Sequence, residues 1–506
     1  MLDFITRRKE YFLFAFLLLI IYFPIFLHLD YMPFRIWDES ILGVNAIEMS
    51  HNHNYIVTYF YGNPDMSNCK PPLMIWCIVL FSKVLGFNEL SVRLPSALGA
   101  LCLSVYLFFT LKKCSGSSVY AFLTIVVLIT CQGYIRNHVT RTGEYDSLLV
   151  LFSTIFSLKI YQAVNAIEKG EESKYIFAFF IFLTLGVLTK GVACLMQLPA
   201  IFVYVALNKK IIPFLKTKAF YGGLFIFLLF GIGYYFLRES LNPGYLKAVW
   251  DNELGGRYGN VADAHTGDIF FYLREIINWQ FVNYLFVFPV GVLVGCMLLN
   301  NPIRKIVIFS VLSAASFLLI ISLAATKIPH YDAPLFPYLA IIVGAFFYFI
   351  YAQIKIGLNT LSKKNGVWLV SFVIVLALMA KPYADIISRV YFPKGDSWEE
   401  GFSISCRFFQ MAARHQVNVA PYKAVLDIPW GYGSGTVLTC YNEELQELGI
   451  KLNIVRHEGL LLKDSAVVFD PTTKRLIEQE YDIETIRHIY ACDADIIYVK
   501  GKKESL

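Results

Sequence analysis

R-I-W-D-E-S-I-L-G-V-N-A-I-E-M-S-H-N-H-N-Y-I-V-T-Y-F-Y-G-N-P-D-M-S-N-C-K-P-P-L, residues 35–73, is the stretch on which the reading of this chain turns. It follows a long apolar run that opens the protein, so a membrane segment delivers it to one face of a bilayer. There it presents adjacent carboxylates at Asp38 and Glu39, a tyrosine–glycine turn at Tyr61 and Gly62, and Lys70 ahead of Pro71 and Pro72. A polar loop this long among apolar spans is rarely a mere connector. By pattern alone it fits equally well an extramembrane loop with a capped surface helix over 38–50, since Asp and Ser commonly start helices.

The surrounding composition decides the class. Of 506 residues, 57% are hydrophobic and 16% charged, with 43 Phe and 32 Tyr. Soluble domains carry roughly a quarter of charged residues. The shortfall lies in repeated apolar runs of about 20 residues, the length that spans a bilayer as a helix. This is the composition of a polytopic α-helical membrane protein. The net charge of +6 does not point to nucleic acid, because Lys and Arg sit in short clusters beside the spans. Ten cysteines are scattered without a C-x-x-C, which indicates neither a disulfide framework nor a zinc ribbon.

Arg7, Arg8 and Lys9 precede the first run, 11–29, which is too long for a signal peptide and reads as a retained anchor with a cytosolic N-terminus. Further runs cover 93–112, 118–135, 146–164, 175–190, 193–208, 219–237, 279–299, 304–323, 332–353 and 366–382. Basic connections around 112–113, 169–174, 209–218, 304–305 and 355–364 are cytosolic by the positive-inside rule. The large loops 30–92 and 238–278 then share the outer face. The apolar piece 73–86 is short and starts at Pro-Pro; counting it as a span would invert the charge pattern, so it is expected to lie at the interface. The expectation is about 11 spans over a domain of residues 1–382. Residues 383–506 read as a small outer-face α/β domain, with strands over 422–428, 452–456, 466–469 and 495–499 and helices over 436–448 and 473–481. The cluster G-Y-G-S-G at 431–435 is a structural turn more readily than a phosphate-binding one.

Both signs of charge gather on the outer face: Asp38, Glu39, Lys70, Arg93, Arg136, His138, Arg141, Glu144, Asp146, Lys190, Arg257, His265, Lys327, His330 and Tyr331. Any one of them singly is best read as a snorkelling anchor. Together, at the ends of spans where burial is costly without a partner, they suit chemistry beside the bilayer. Carboxylates serve as bases toward a hydroxyl, and Lys and Arg bind phosphate.

W-D-E-S, followed by Y-G-N-P and K-P-P-L, resembles the opening of the GT-C membrane glycosyltransferases, within them the branch of protein O-mannosyltransferases and lipid A aminoarabinose transferases (glycosyltransferase family 39). N-E-L-S-V-R-L-P-S-A-L-G at 88–99, R-T-G-E-Y-D-S-L at 141–148, L-T-K-G at 188–191 and T-K-I-P-H-Y-D-A-P-L-F-P at 326–337 are similar to later motifs, over roughly residues 10–380. The resemblance implies inverting sugar transfer from a polyprenyl-phosphate-linked donor to a lipid, glycan or protein acceptor, at the periplasmic side of a bacterial inner membrane. It implies Asp38 as the catalytic carboxylate, backed by Glu39 and Asp146. Lys70 would hold the donor phosphate, with Arg257, Lys327 and Tyr331, and Tyr61, Arg93, Arg141 and Glu144 would support the site. No cofactor is required by it. Aminoarabinose transferases place an acidic zinc ligand before the lysine; here that position is Cys69, and Cys69 with His265 is the pair left to hold zinc, although two ligands alone more often hold none. The rival class is a transporter or flippase of a lipid-linked or anionic substrate, which predicts inverted halves and mid-span charges.

Overall fold

A backbone in hydrocarbon must satisfy its own hydrogen bonds, and an α-helix does so within one segment. The computed structural model describes residues 8–261, 265–361, 366–391, 400–418, 422–425, 432–451, 453–469 and 471–503. Among these residues, seven helical runs are long and apolar enough to cross a bilayer: Lys9–Phe26, Glu89–Ser115, Asp146–Lys169, Glu172–Leu207, Lys218–Leu241, Asn301–Leu323 and Pro329–Thr360. The pair Val367–Leu378 and Ala380–Tyr391, bent by 53°, makes an eighth if taken as one span. The protein is a polytopic, integral membrane protein.

The expected runs differ from these helices in three places. The segments at 175–190 and 193–208 belong to one helical run, broken at Gly191, where φ is 55° and ψ is −129°. A Cβ on Gly186 would come within 2.3 Å of Cys194 Sγ, so the chain folds back after that break. The expected runs at 118–135 and 279–299 shrink to the helices Ser118–Ile129 and Val287–Leu298. The short apolar piece at 73–86 is the helix Leu73–Leu85.

The chain divides into two compact units. One comprises Met1–Leu27, Pro64–Met74 and Ser96–Phe392; the other comprises His28–Asn63, Ile75–Pro95 and Pro393–Leu506. The loop 238–278 of the first unit is largely helical where described, with Tyr245–Val249, the π-helical Trp250–Gly259 and Phe271–Glu275. In this unit the helix Asp146–Ala166 packs along Glu172–Lys190, so the start of one meets the end of the other. That sets an anion, Asp146, at a helix N-terminus and a cation, Lys190, at a C-terminus, where the helix dipole favours each.

The second unit holds a five-stranded sheet. Its strands are β1 (Lys423–Val425), β2 (Asn453–Val455), β3 (Ser465–Val468), β4 (Tyr481–Ile489) and β5 (Ala494–Lys502), in the order β2-β1-β3-β5-β4. β1 pairs in parallel with β2 and β3, and β5 pairs antiparallel with β3 and β4. Val425, Val468, Ile477, Tyr481, Ile497 and Val499 fill its core. β4 was not anticipated, although Y-D-I-E-T-I-R-H-I has the β-branched content of a strand. Residue 431 of the glycine cluster lies outside the described residues, and Tyr432 opens the helix Tyr432–Glu447.

Within the same unit the helix Asp38–Asn52 packs against Tyr432–Glu447 and is largely buried, so it is no surface helix. Gly43 explains part of the close approach, because a Cβ there would lie 2.6 Å from Cys440 Sγ. Glu89 accepts hydrogen bonds from Tyr441 Oη at 2.8 Å and Gln410 Nε2 at 2.9 Å, which seals a polar link beneath this packing.

Candidate active site

Pro71 restricts Lys70 to extended backbone, and a mesh of hydrogen bonds fixes the loop that carries it. Asp65 Oδ1 accepts from the amides of Ser67 and Asn68, both at 2.9 Å. The Asp65 carbonyl accepts from Arg238 Nη2 at 2.8 Å, and the Cys69 carbonyl from Tyr245 Oη at 2.6 Å. Lys70 Nζ then stands 3.4 Å from Glu253 and 5.5 Å from the centre of the Tyr145 ring. Glu253 sits in the π-helical Trp250–Gly259, and nothing in its sequence neighbourhood marks it as Lys70's partner.

Lys190 donates to both Asp146 oxygens at 2.7 Å and lies 4.9 Å above the Tyr331 ring. These two ion pairs border one cavity of about 300 Å³, whose lining includes Lys70, Asp146, Lys190, Glu253, Tyr258, Tyr272, Thr326 and Tyr331. Leu149, Val192, Leu195, Met196, Phe317 and Ile321 form its apolar wall. Two backbone links tie the segments beside it: Ala325 N donates to the Tyr258 carbonyl at 2.9 Å and Lys327 N to the His265 carbonyl at 3.0 Å. The arrangement is a greasy trough with two ammonium groups, each beside a carboxylate. An anionic group on an apolar tail fits such a trough, because the tail meets the wall and the ammoniums meet the charge.

The other expected site residues fall into distinct surroundings. In the second unit Glu39 is completely buried and receives Arg93 Nε at 2.7 Å, Arg93 Nη2 at 2.8 Å and Arg35 N at 2.8 Å. The remaining Arg93 donors reach the carbonyls of Leu29, Met32 and Pro33 at 2.9, 2.7 and 2.7 Å, so all five guanidinium N–H groups are spent. Glu39 and Arg93 thus form a sealed, buried ion pair. Asp38, one residue earlier, is exposed at the first turn of its helix. Tyr61 has φ of 50° and its hydroxyl is 3.4 Å from Thr439 Oγ1.

In the first unit Arg141 Nη1 and Nη2 donate to the carbonyls of Pro24, Ile25 and Leu27, capping the end of Lys9–Phe26. Lys327 Nζ donates to Ile321, Ser322 and Ala324 carbonyls, capping Asn301–Leu323 in the same way. Three carbonyls use the three donors of an ammonium, and Lys327 does not line the cavity. Burial lowers its pKa. The side chain of Arg257 lies outside the described residues. Glu144 is buried and meets His138 Nδ1 at 2.9 Å and Thr142 Oγ1 at 3.0 Å.

Cys69 suits a metal poorly. Its Sγ donates to the Met66 carbonyl at 3.3 Å, accepts from Asn252 Nδ2 at 3.2 Å, and is kept a thiol by burial, which raises its pKa. A metal takes the thiolate. His265 is exposed, and among the described residues no group of three or more candidate ligands includes either residue.

The family described as dolichyl-phosphate-mannose-protein mannosyltransferase matches residues 69–235. An uncharacterized protein of Aquifex aeolicus is 28% identical over 345 residues, 67% of this chain; the chain spans 64% of that protein's length. The fold is similar to ArnT from Cupriavidus metallidurans bound to undecaprenyl phosphate, with a TM-score of 0.64, 14% identity, and 96% of this chain and 97% of that one covered. It is also similar to the oligosaccharyltransferase AglB from Archaeoglobus fulgidus in complex with an inhibitory peptide and a dolichol-phosphate, with a TM-score of 0.51, 10% identity, and 86% and 64% covered. The fold is GT-C-like, and the resemblance to family-39 glycosyltransferases read in the motifs is matched by these findings.

Proposed function

We propose that this protein is a glycosyltransferase that takes its sugar from a polyprenyl-phosphate donor and passes it to an acceptor hydroxyl at the outer face of the membrane. The observation that carries the reading is the apolar trough bordered by both Lys70 and Lys190. A donor phosphodiester carries one negative charge, and the departing polyprenyl phosphate gains a second as the sugar leaves. One lysine cannot match a dianion; two can. Lys190, which the motifs place in L-T-K-G without a role, therefore joins Lys70 in the part that the resemblance gives to Lys327, whose ammonium is spent on helix carbonyls. Asp146 and Glu253 hold the two ammoniums in place at 2.7 and 3.4 Å. The Tyr331 ring faces the Lys190 ammonium at 4.9 Å.

The acceptor oxygen attacks the anomeric carbon, the bond from that carbon to the phosphate oxygen breaks, and the acceptor proton passes to a carboxylate. Asp38 is assigned as that base from the motif resemblance and its exposure. Backside attack would invert the anomeric centre. No step calls for a metal.

The test is transfer by purified enzyme from polyprenyl-phosphate sugar against nucleotide sugar. The expected result is turnover with the lipid donor only, weakened in Lys70→Ala. Efficient transfer from a nucleotide sugar, indifferent to Lys70→Ala, would overturn the reading.

A further inference from the structure

Outside the trough, the same unit brings together three side chains that neither the motifs nor the transfer reaction employ as a set. His138 and Glu144 lie in the loop ahead of the helix Asp146–Ala166, and His330 lies in the 3-10 segment Pro329–Leu335. Their ligand atoms lie within 4.8 Å of one another. The His138 and His330 rings are stacked, with centroids 4.9 Å apart and planes within 10°. His138 Nδ1 is 2.9 Å from Glu144 Oε2. Thr142 clamps the group: its Oγ1 accepts from the His138 amide at 2.8 Å and donates to Glu144 Oε1 at 3.0 Å.

We propose that His138, Glu144 and His330 bind one divalent transition-metal ion of the zinc class. Two imidazoles and a carboxylate are the donor set that zinc favours, whereas magnesium and calcium prefer oxygen throughout. Ligands at about 2.1 Å from a tetrahedral zinc stand roughly 3.4 Å apart, so small side-chain rotations bring these atoms onto one ion. The burial supports a cation as well: Glu144 is 2% and His330 8% exposed, and a buried carboxylate is costly without a positive partner. A hydrogen-bonded His–Glu pair would account for two of the three residues. The second imidazole, stacked on the first, brings a further ligand nitrogen within reach of the same ion.

The ion would hold chain segments that border the trough. Glu144 is two residues before Asp146, and His330 adjoins Tyr331, and both of those neighbours line the cavity. The metal is thus a positioning element for the Asp146–Lys190–Tyr331 wall. This proposal does not depend on the sugar-transfer reading, because its test measures metal directly.

The experiment uses the full chain, purified in detergent, stripped with a chelator and reloaded with zinc, magnesium or cobalt(II). Elemental analysis should find about one equivalent of zinc and no magnesium. His330→Asn and Glu144→Gln should each weaken zinc binding by about tenfold or more, while His265→Ala retains it. Zinc should also raise the unfolding temperature of the unmutated protein, and its cobalt(II) form should show visible bands without thiolate charge transfer. That spectrum decides the matter even if a variant fails to fold. A protein that takes up no zinc at micromolar concentration, retention by the double variant His138→Asn/His330→Asn, loss in His265→Ala, or a cobalt–thiolate band from Cys69 would each overturn the proposal.

Discussion

Two carboxylates, Glu39 and Asp146, each pair with a cation at 2.7 Å, and the two surroundings give the pairs opposite meanings. Arg93 beside Glu39 spends every donor on protein atoms, and neither side chain borders the cavity. Lys190 beside Asp146 borders a cavity, together with its partner. The first pair is a sealed rivet inside the unit of the opening loop and the sheet. The second is an ion pair at the wall of a trough. A close ion pair by itself says nothing of function; whether it borders a cavity is what separates these two.

The largest expected effect comes from breaking the rivet. Arg93→Ala leaves Glu39 buried without its cation, which should cost about 3–5 kcal/mol and sharply reduce the folded protein recovered in detergent. Thermal unfolding checks this. A variant that melts with the unmutated protein would dissolve the distinction between the two pairs.

One residue away the expectation reverses. Asp38→Asn should leave unfolding unchanged and lower the transfer rate by about 100-fold, since it removes a base and keeps its shape. Turnover by a well-folded Asp38→Asn protein at the ordinary rate would take Asp38 out of the reaction.

The trough should respond more gently than either. Lys70 stands 3.4 Å from Glu253, and both are partly exposed, so Lys70→Ala does not strand a sealed charge. It should raise the KM for polyprenyl-phosphate sugar by roughly tenfold, the equivalent of about 1.4 kcal/mol. Equal loss of stability in Lys70→Ala and Arg93→Ala would show that the trough is as sealed as the rivet.

The smallest effect belongs to an ion pair at the surface. His51 Nε2 meets Glu443 at 2.8 Å, with the histidine side chain 61% exposed. His51→Ala should change stability by about 0.5 kcal/mol or less, read from the same unfolding curves. A larger change would mean that distance, and not burial, ranks these pairs.

The candidate residues stand out in the sequence. Asp38, Lys70, Asp146 and Lys190 all sit in motifs at span ends, where a charge draws notice because hydrocarbon is next to it. The roles of Glu253 and Lys327 were not legible. Glu253 lies in a polar loop that has no apolar periodicity to set it off, and its pairing with Lys70 joins residues far apart in sequence. Lys327 looks like a phosphate ligand in the motif T-K-I-P-H-Y and is instead bound to the carbonyl end of its own preceding helix.

The sequence by itself determined that this chain is a polytopic membrane protein with a small α/β sheet region near its C-terminus. Apolar length and alternating strand pattern are local properties, and local backbone hydrogen bonding follows from them. Only the tertiary structure decided which charges are spent and which border a cavity. Donor satisfaction depends on carbonyls and carboxylates brought from distant segments, as Arg93 shows with Leu29 and Pro33 and Lys190 shows with Asp146. A sequence records that a charge is present; the packing around it decides whether that charge is left to act.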